Sequence, residues 1–188
     1  MKNLYGFSLI ELLVVIAIAA ILASLAVPSF QGLIASSNLT SATNDLVATL
    51  ARAKSDAIRR GKRVTVCMST DGATCTTTGA WTQGWIMFND DVHPDGNAAV
   101  EDTDDITAIT VAQANSIEIK SNQAYFSYGS DGQARLMNGG SGAGRIRVCN
   151  TSPALTNDTR AREIVINWVG RINIEKPTGV AATCPAPT

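Results

Sequence analysis

The sequence lacks the combinations of residues on which most catalytic and metal sites are built. It contains a single histidine, His93, and no serine or cysteine has a base placed beside it, so no nucleophilic triad is indicated. None of the four cysteines forms a C-x-x-C pair, which argues against a zinc site. The net charge of −1 gives no overall signature of nucleic-acid or acidic-substrate binding. We therefore expect a protein that is not an enzyme.

The main positive feature is an apolar run over residues 12–27, in which only Ser24 is polar and no residue is charged. If residues 7–10 join it, the run is roughly long enough to cross a bilayer, for which about 20 apolar residues are needed. A segment in lipid must satisfy its backbone groups internally, so the run is predicted to be a helix.

Glu11 is the one charged residue beside this run. A carboxylate in that position is costly, and it indicates a functional site with a positively charged partner at the same depth. If the chain were cut between Gly6 and Phe7, the new amino group of Phe7 would supply that charge. The amino group would come from this chain, from a neighbouring copy or from a homologue.

A short basic leader ends in Gly6 and is followed by Phe7, by Glu11 at the fifth position after the cut, by the apolar run and by Pro28. This pattern resembles the class III signal of type IV pilins and type II secretion pseudopilins. The resemblance implies cleavage after Gly6 by a prepilin peptidase, N-methylation of Phe7, an assembly role for Glu11 and a helix kink at Pro28. An ordinary secretory signal has an apolar core of about 7–15 residues with a small-residue cleavage site after it, unlike this run.

The same resemblance implies where the protein is located and what it contacts. It implies a single-pass protein of the inner membrane with a periplasmic domain, which is later drawn into a pilus at the cell surface. The implied partners are the prepilin peptidase, the inner-membrane assembly platform, and other minor and major pilins.

The helical pattern continues beyond the apolar run. Gly61 suits a C-cap, so one helix is expected from about Ser8 to Arg60, bent at Pro28 and Gly32. Apolar residues recur there at spacings of three and four, the signature of one apolar helix face. They are Leu39, Ala42, Leu46, Leu50, Ala53 and Ala57.

After the helix, short apolar runs with Gly-rich breaks indicate antiparallel sheets with one buried face, and no βαβ pattern is present. The runs are 63–67, 84–88, 117–120, 145–148, 163–166 and 171–175. The predicted fold class is therefore α+β, with a long hydrophobic N-terminal helix packed on a β-domain. The predicted domains are a leader (1–6), a helix (7–60, with a transmembrane half 7–28 and an amphipathic half 29–60) and a β-rich globular domain (61–188).

The even number of cysteines indicates disulfides, because an exported domain lies in an oxidising compartment. Three pairings are possible. Cys67 and Cys75 flank an Asp-Gly turn signal, so a local bridge between them forms easily. Cys149 with Cys184 would then hold the C-terminal tail, whose Pro-rich end would otherwise fray.

The stretch 90–105 is acidic, and Asp90, Asp91 and Asp95 offer hard oxygen ligands for calcium. Their spacing is not that of an EF-hand. A solvated loop or a contact for a basic neighbour is the preferred interpretation, and no cofactor is expected.

The globular part of the sequence resembles one particular group among these pilins and pseudopilins. A Val-Thr-Val-Cys strand at 64–67, Cys75, Trp81 and the run 84–88 are similar to the FimT/FimU/GspH group of minor pilins and pseudopilins. The group implies a long N-terminal helix packed against an antiparallel β-domain of two sheets. Some FimT-type pilins are implicated in binding DNA during natural transformation, through a Gly-Arg-x-Arg motif near the C-terminus.

The aligned position here keeps only the first arginine of that motif, Arg171, while an earlier Gly-Arg-x-Arg string contains Arg145 and Arg147. On one strand, Arg145 and Arg147 share a face. That face either presents both to the phosphates of double-stranded DNA or is the ordinary solvent face of a strand with Ile146 inside. Lys176 completes the candidate DNA-binding set.

The preferred function is that of a minor pilin, a structural subunit that helps to prime or cap pilus assembly near the tip. One alternative is a FimT-like DNA receptor for natural transformation. The other is a GspH-like minor pseudopilin of a type II secretion system, which shares every feature of the helix. The sequence alone does not separate the three.

Overall fold

The computed structural model describes residues 8–91, 98–101 and 104–188, and for 25–29 it describes the backbone alone. One helix and two sheets make up the described chain. The helix is α1 (Leu9–Arg60), and a short 3-10 helix covers Trp81–Gln83. The strands are β1 (Val64–Met68), β2 (Gly84–Asn89), β3 (Ile106–Val111), β4 (Ile117–Ser121), β5 (Tyr125–Tyr128), β6 (Gly144–Asn150), β7 (Ala161–Ile166) and β8 (Ile172–Glu175).

Helix α1 begins and ends where the sequence predicts. Ser8 is its N-cap, and a capping box joins it to Glu11: the Ser8 Oγ accepts from the Glu11 N–H, and the Glu11 carboxylate accepts from the Ser8 N–H. Gly61 ends the helix in the left-handed conformation, with φ 67°, and Arg59 and Arg60 in the last turn suit the negative end of the helix dipole.

The strands form two four-stranded antiparallel sheets, in the orders β3-β2-β1-β5 and β4-β6-β7-β8. The predicted α+β class and all six predicted strands are confirmed. Strands β3 and β5, at the two edges of the first sheet, are not among those predicted.

The C-terminal part of α1, from Ala35 to Ala57, forms one side of the hydrophobic core. Leu39, Leu46 and Leu50 are fully buried, and they join Val66 of the first sheet and Ile146 of the second in one apolar cluster. Burying each of these large side chains contributes about 1.5–3 kcal/mol, so the helix and the two sheets depend on one another for stability.

The N-terminal part of α1 does not pack against the β-domain, and its described side chains up to Ser24 are all exposed. No helix in the described part of the chain is long and apolar enough to cross a membrane, so the expected transmembrane half over 7–28 is not confirmed. Gly6 and Phe7 lie outside the described residues, as does the side chain of Pro28, while the backbone of α1 is helical throughout Leu9–Arg60.

The two disulfides join Cys67 to Cys75 and Cys149 to Cys184, so the expected pairing is confirmed. In the smaller loop, Asp71 accepts hydrogen bonds from the backbone N–H groups of Thr74 and Ala73. These bonds hold the pKa of the Asp71 carboxyl far below its usual range. The carboxylate therefore stays ionised and fixes the turn at neutral pH.

The C-terminal tail crosses the outer face of the second sheet. The Val180 N–H donates to the Asn157 carbonyl, and the Arg147 guanidinium donates to the Pro185 carbonyl on the other side of the disulfide. Val180 and Cys184 are buried against Cys149. The tail is thus held at several points, as expected from the cysteine positions.

Candidate assembly interface

The exposed part of α1 is the largest apolar surface that the described residues show. Every described side chain from Ser8 to Ser24 is exposed, including Leu9 at 76% and Leu22 at 63%. A helix that is apolar on all sides is stable in water only when something covers it. This segment therefore has the properties of an interface on every side.

Glu11 is the single ionisable residue in that apolar segment. One of its carboxylate oxygens, Oε2, accepts from both the N–H and the hydroxyl of Ser8, at 3.0 and 3.1 Å. The other oxygen, Oε1, makes no hydrogen bond to a described residue, so it is available to a cation from another chain. Phe7, its predicted partner, lies outside the described residues.

Arg145 and Arg147 lie on one face of β6, while Ile146 and Val148 point into the core and are fully buried, as strand alternation requires. Both arginines are held by Glu163 on β7. The Arg145 Nη1 lies 3.0 Å from Glu163 Oε2, and the Arg147 Nε lies 2.8 Å from Glu163 Oε1.

Glu175 on β8 completes this charged cluster, because the Arg145 Nη1 also lies 3.1 Å from its Oε2. Glu175, followed by Glu163, raises the pKa of the Arg145 guanidinium. Two arginines and two carboxylates therefore neutralise one another on the outer face of the second sheet. Phosphates of a nucleic acid would have to compete with carboxylates already in place.

The other two candidate DNA-binding residues form no ion pair with the described members of this cluster. Arg171 precedes β8 and Lys176 follows it, and both side chains are exposed. They lie at opposite ends of one strand. The structure thus brings Arg145 and Arg147 together but leaves Arg171 and Lys176 separate.

The acidic stretch shows two aspartates that are already engaged by protein groups. The Asp90 carboxylate is buried and accepts from the Thr65 hydroxyl at 2.6 Å, and Asp91 pairs with Lys62 at 2.8 Å. Asp95 lies outside the described residues. Among the residues that are described, no group of three or more His, Cys, Asp or Glu side chains is placed to hold a metal ion.

Glu163 is the structurally central residue that the sequence reasoning missed. Its side chain is 7% exposed, yet it is ionisable and pairs with two arginines. A signal was available: Arg147 and Glu163 lie in neighbouring predicted strands, and antiparallel pairing places them directly opposite each other.

Two family models match this chain, one at its N-terminus and one over most of the remainder. The profile described as "Type II transport protein GspH" matches residues 42–170, and the profile described as "Prokaryotic N-terminal methylation motif" matches residues 1–27. Two curated relatives from Pseudomonas aeruginosa, both called fimbrial protein, are 42% identical over 64 residues, which is 34% of this chain. The match spans 41% of the length of each relative.

Solved structures of similar architecture come from two bacteria. The type IV minor pilin FimU of Pseudomonas aeruginosa is 19% identical, with a TM-score of 0.49 over 73% of this chain and 87% of that one. The minor pseudopilin EpsH from the type 2 secretion system of Vibrio cholerae is 10% identical, with a TM-score of 0.49 over 74% of this chain and 98% of that one.

Proposed function

We propose that this chain, which belongs to the family of the type II transport protein GspH, is a minor pilin of a type IV pilus. In this role it is a structural, non-enzymatic subunit that helps to prime or cap assembly near the pilus tip. The proposal of a pilus is supported by the 42% identity, over 64 residues, to two proteins called fimbrial protein. The minor-pseudopilin alternative rests on the same helix and the same family.

The observation that carries this proposal is the apolar, exposed half of α1 on a chain whose described β-domain has its own buried core. Each large side chain buried there would contribute about 1.5–3 kcal/mol. Helices of other minor and major pilins cover this surface in the filament. Before assembly, the surface holds the protein at the inner membrane, where the prepilin peptidase and the assembly platform act on it.

Glu11 fixes the register of this helix against the helix of an adjacent subunit. An apolar helix slides easily along another, but a buried carboxylate without a partner costs several kcal/mol. After cleavage behind Gly6, the methylated amino group of Phe7 in an adjacent subunit is the matching cation. Docking in the correct register joins that cation to the Glu11 carboxylate, while other registers leave the carboxylate unpaired.

Replacing Glu11 with valine is expected to lower the amount of protein in sheared filaments about tenfold or more, because the register-setting charge is lost. Total protein and the cleaved N-terminus, measured by immunoblot and mass spectrometry, should stay at parental levels. Ser8→Ala is the matched control: it removes the helix cap but keeps the carboxylate, so incorporation should change less than about twofold. Normal incorporation of Glu11→Val would contradict the proposal.

The charged cluster on the second sheet favours this structural role over a DNA receptor. We expect the full chain in mild detergent to bind duplex DNA more weakly than about 100 µM at 50 mM salt, because Arg145 and Arg147 are already neutralised. Fluorescence anisotropy across a salt series measures this. Micromolar binding that falls steeply with salt, and is lost in Arg171→Glu, would instead establish the DNA-receptor function.

A further inference from the structure

Strand β3 is an edge of the first sheet, and the Thr107 carbonyl near its start accepts from the Arg52 guanidinium. Its six residues, Ile106–Val111, carry no charge, and no strand in the described part of the chain pairs with its outer side. Ile109 is 59% exposed and Val111 is 77% exposed. Natural proteins normally protect such an edge with charge, proline or a covering element, because its free backbone groups readily accept another strand.

The hydrogen-bond pattern shows which backbone groups of β3 are free. The Gly84 carbonyl accepts from Ser69, so Gly84 faces β1, and alternate residues of β2 face β3. Thr110, opposite Trp85, therefore bonds inward to β2. The N–H and C=O groups of its neighbour Ile109, and the N–H of Val111, point outward.

Strand β8 is the corresponding free edge of the second sheet. The Asn167 N–H donates to the Arg171 carbonyl, so alternate residues from Arg171 onward face β7. The backbone groups of Ile172 and Ile174 then point outward. Ile174 is 44% exposed, and β8 has no second neighbour among the described strands.

Acidic residues precede β3, whereas a basic residue lies on each side of β8. Asp105, which is exposed, directly precedes β3, and Glu101 and Asp104 lie just before it. Arg171 and Lys176, both exposed, flank β8, while Glu175 at the end of the strand is already paired with Arg145. Pairing two β3 edges would leave these acids without bases, whereas pairing β3 with β8 brings acids next to bases in either strand direction.

We propose that the β3 edge of one copy of this chain pairs with the β8 edge of a second copy, which joins the two domains through a continuous sheet. The surface goes beyond the proposed function because it lies outside the apolar half of α1 and binds the chain to itself. The contact is heterologous, so each copy in the pair keeps one free edge. With only four residues in β8, it depends on high local concentration.

Disulfide trapping in the full chain tests this proposal. The four native cysteines are all bonded in pairs, so a single new thiol reacts only with another molecule. Val111→Cys and Ile174→Cys chains are mixed in mild detergent and oxidised briefly. We expect the 111–174 dimer to exceed either homodimer at least about fivefold at low salt, and to fall several-fold in 1 M salt because the end charges are screened.

The matched control replaces Ile174→Cys with Val169→Cys, a partly exposed apolar position in the turn before β8. It should give no preference for Val111→Cys. A random distribution of the three dimers would overturn the proposal, and so would an excess of the 111–111 dimer. Glu11 is unchanged in every variant, so failure here leaves the test of the pilin function intact.

A second measurement needs no new thiol. In sedimentation of the full chain in detergent, Val111→Lys and Ile174→Glu each block one edge, so each variant alone should stay monomeric. Mixed together, each variant contributes its one intact edge and they should form a dimer, with far-UV circular dichroism confirming that both are folded. If Ile174→Glu alone self-associates, β8 is not the partner edge.

Discussion

Replacing both Cys149 and Cys184 with alanine is expected to lower the free energy of unfolding by about 4 kcal/mol. The bridge spans 35 residues, and the loop-entropy relation for a closed loop of that length gives about this value. Both residues are buried, and alanine adds no polar group to the site. Urea unfolding of the chain in mild detergent, followed by near-UV circular dichroism, measures the change.

The second disulfide provides the matched comparison. Cys67 and Cys75 are separated by 8 residues, for which the same relation gives about 2.5 kcal/mol. The long-range pair should therefore cost more than the local pair. Equal losses, or a larger loss at Cys67 and Cys75, would show that the tail is held mainly by its other contacts.

Replacing Glu163 with glutamine is expected to lower the free energy of unfolding by about 3 kcal/mol. Its side chain is 7% exposed and that of Arg147 is 14% exposed, so the change leaves a guanidinium largely buried without its carboxylate. The amide of glutamine keeps the shape of the side chain, which separates the loss of charge from a loss of packing. The same unfolding assay applies.

Two further variants make this result specific. Glu175→Gln also removes an acid from Arg145, but Glu175 is 47% exposed, so the loss should stay below about 1 kcal/mol. The double variant Glu163→Leu with Arg147→Met replaces the buried ion pair with apolar groups and should recover most of the stability. Should both Glu163 and Glu175 variants lose the same amount, burial would not govern the cluster.

Features fixed by local chemistry were predictable from the sequence. The start of α1 at Ser8 and its end at Gly61 follow from capping groups within four residues of each terminus. The bridge between Cys67 and Cys75 follows from a turn that brings them together. Each of these inferences needs only the residues nearby.

Strands β3 and β5 were missed for a physical reason. No residue of β3 is fully buried, so the alternation between buried and exposed faces is weak, and β3 follows directly on an acidic stretch that is typical of a loop. Strand β5 has four residues, of which Phe126, Ser127 and Tyr128 are all buried. A sequence pattern detects neither case, because the sheet and not the strand determines the burial.

The charged cluster was partly predictable. Alternation along β6 placed Arg145 and Arg147 on one face, but their state depends on Glu163, which is 16 residues from Arg147 in sequence and opposite it in the sheet. Register between strands decides whether two arginines attract phosphates or neutralise acids. The roles of Gly6, Phe7 and Glu11 stay predictions until the filament experiment is made.

The number of residues in helix α1 determines how the β-domain is oriented relative to the apolar segment. The 52 residues of α1 form a rod about 78 Å long, and the same rod is both the bare apolar segment and part of the domain core. Each residue advances the helix by about 1.5 Å and turns it by about 100°. One residue inserted between Ser24 and Ala35 would therefore swing the whole β-domain to another side of the rod while leaving every side chain within the domain in place.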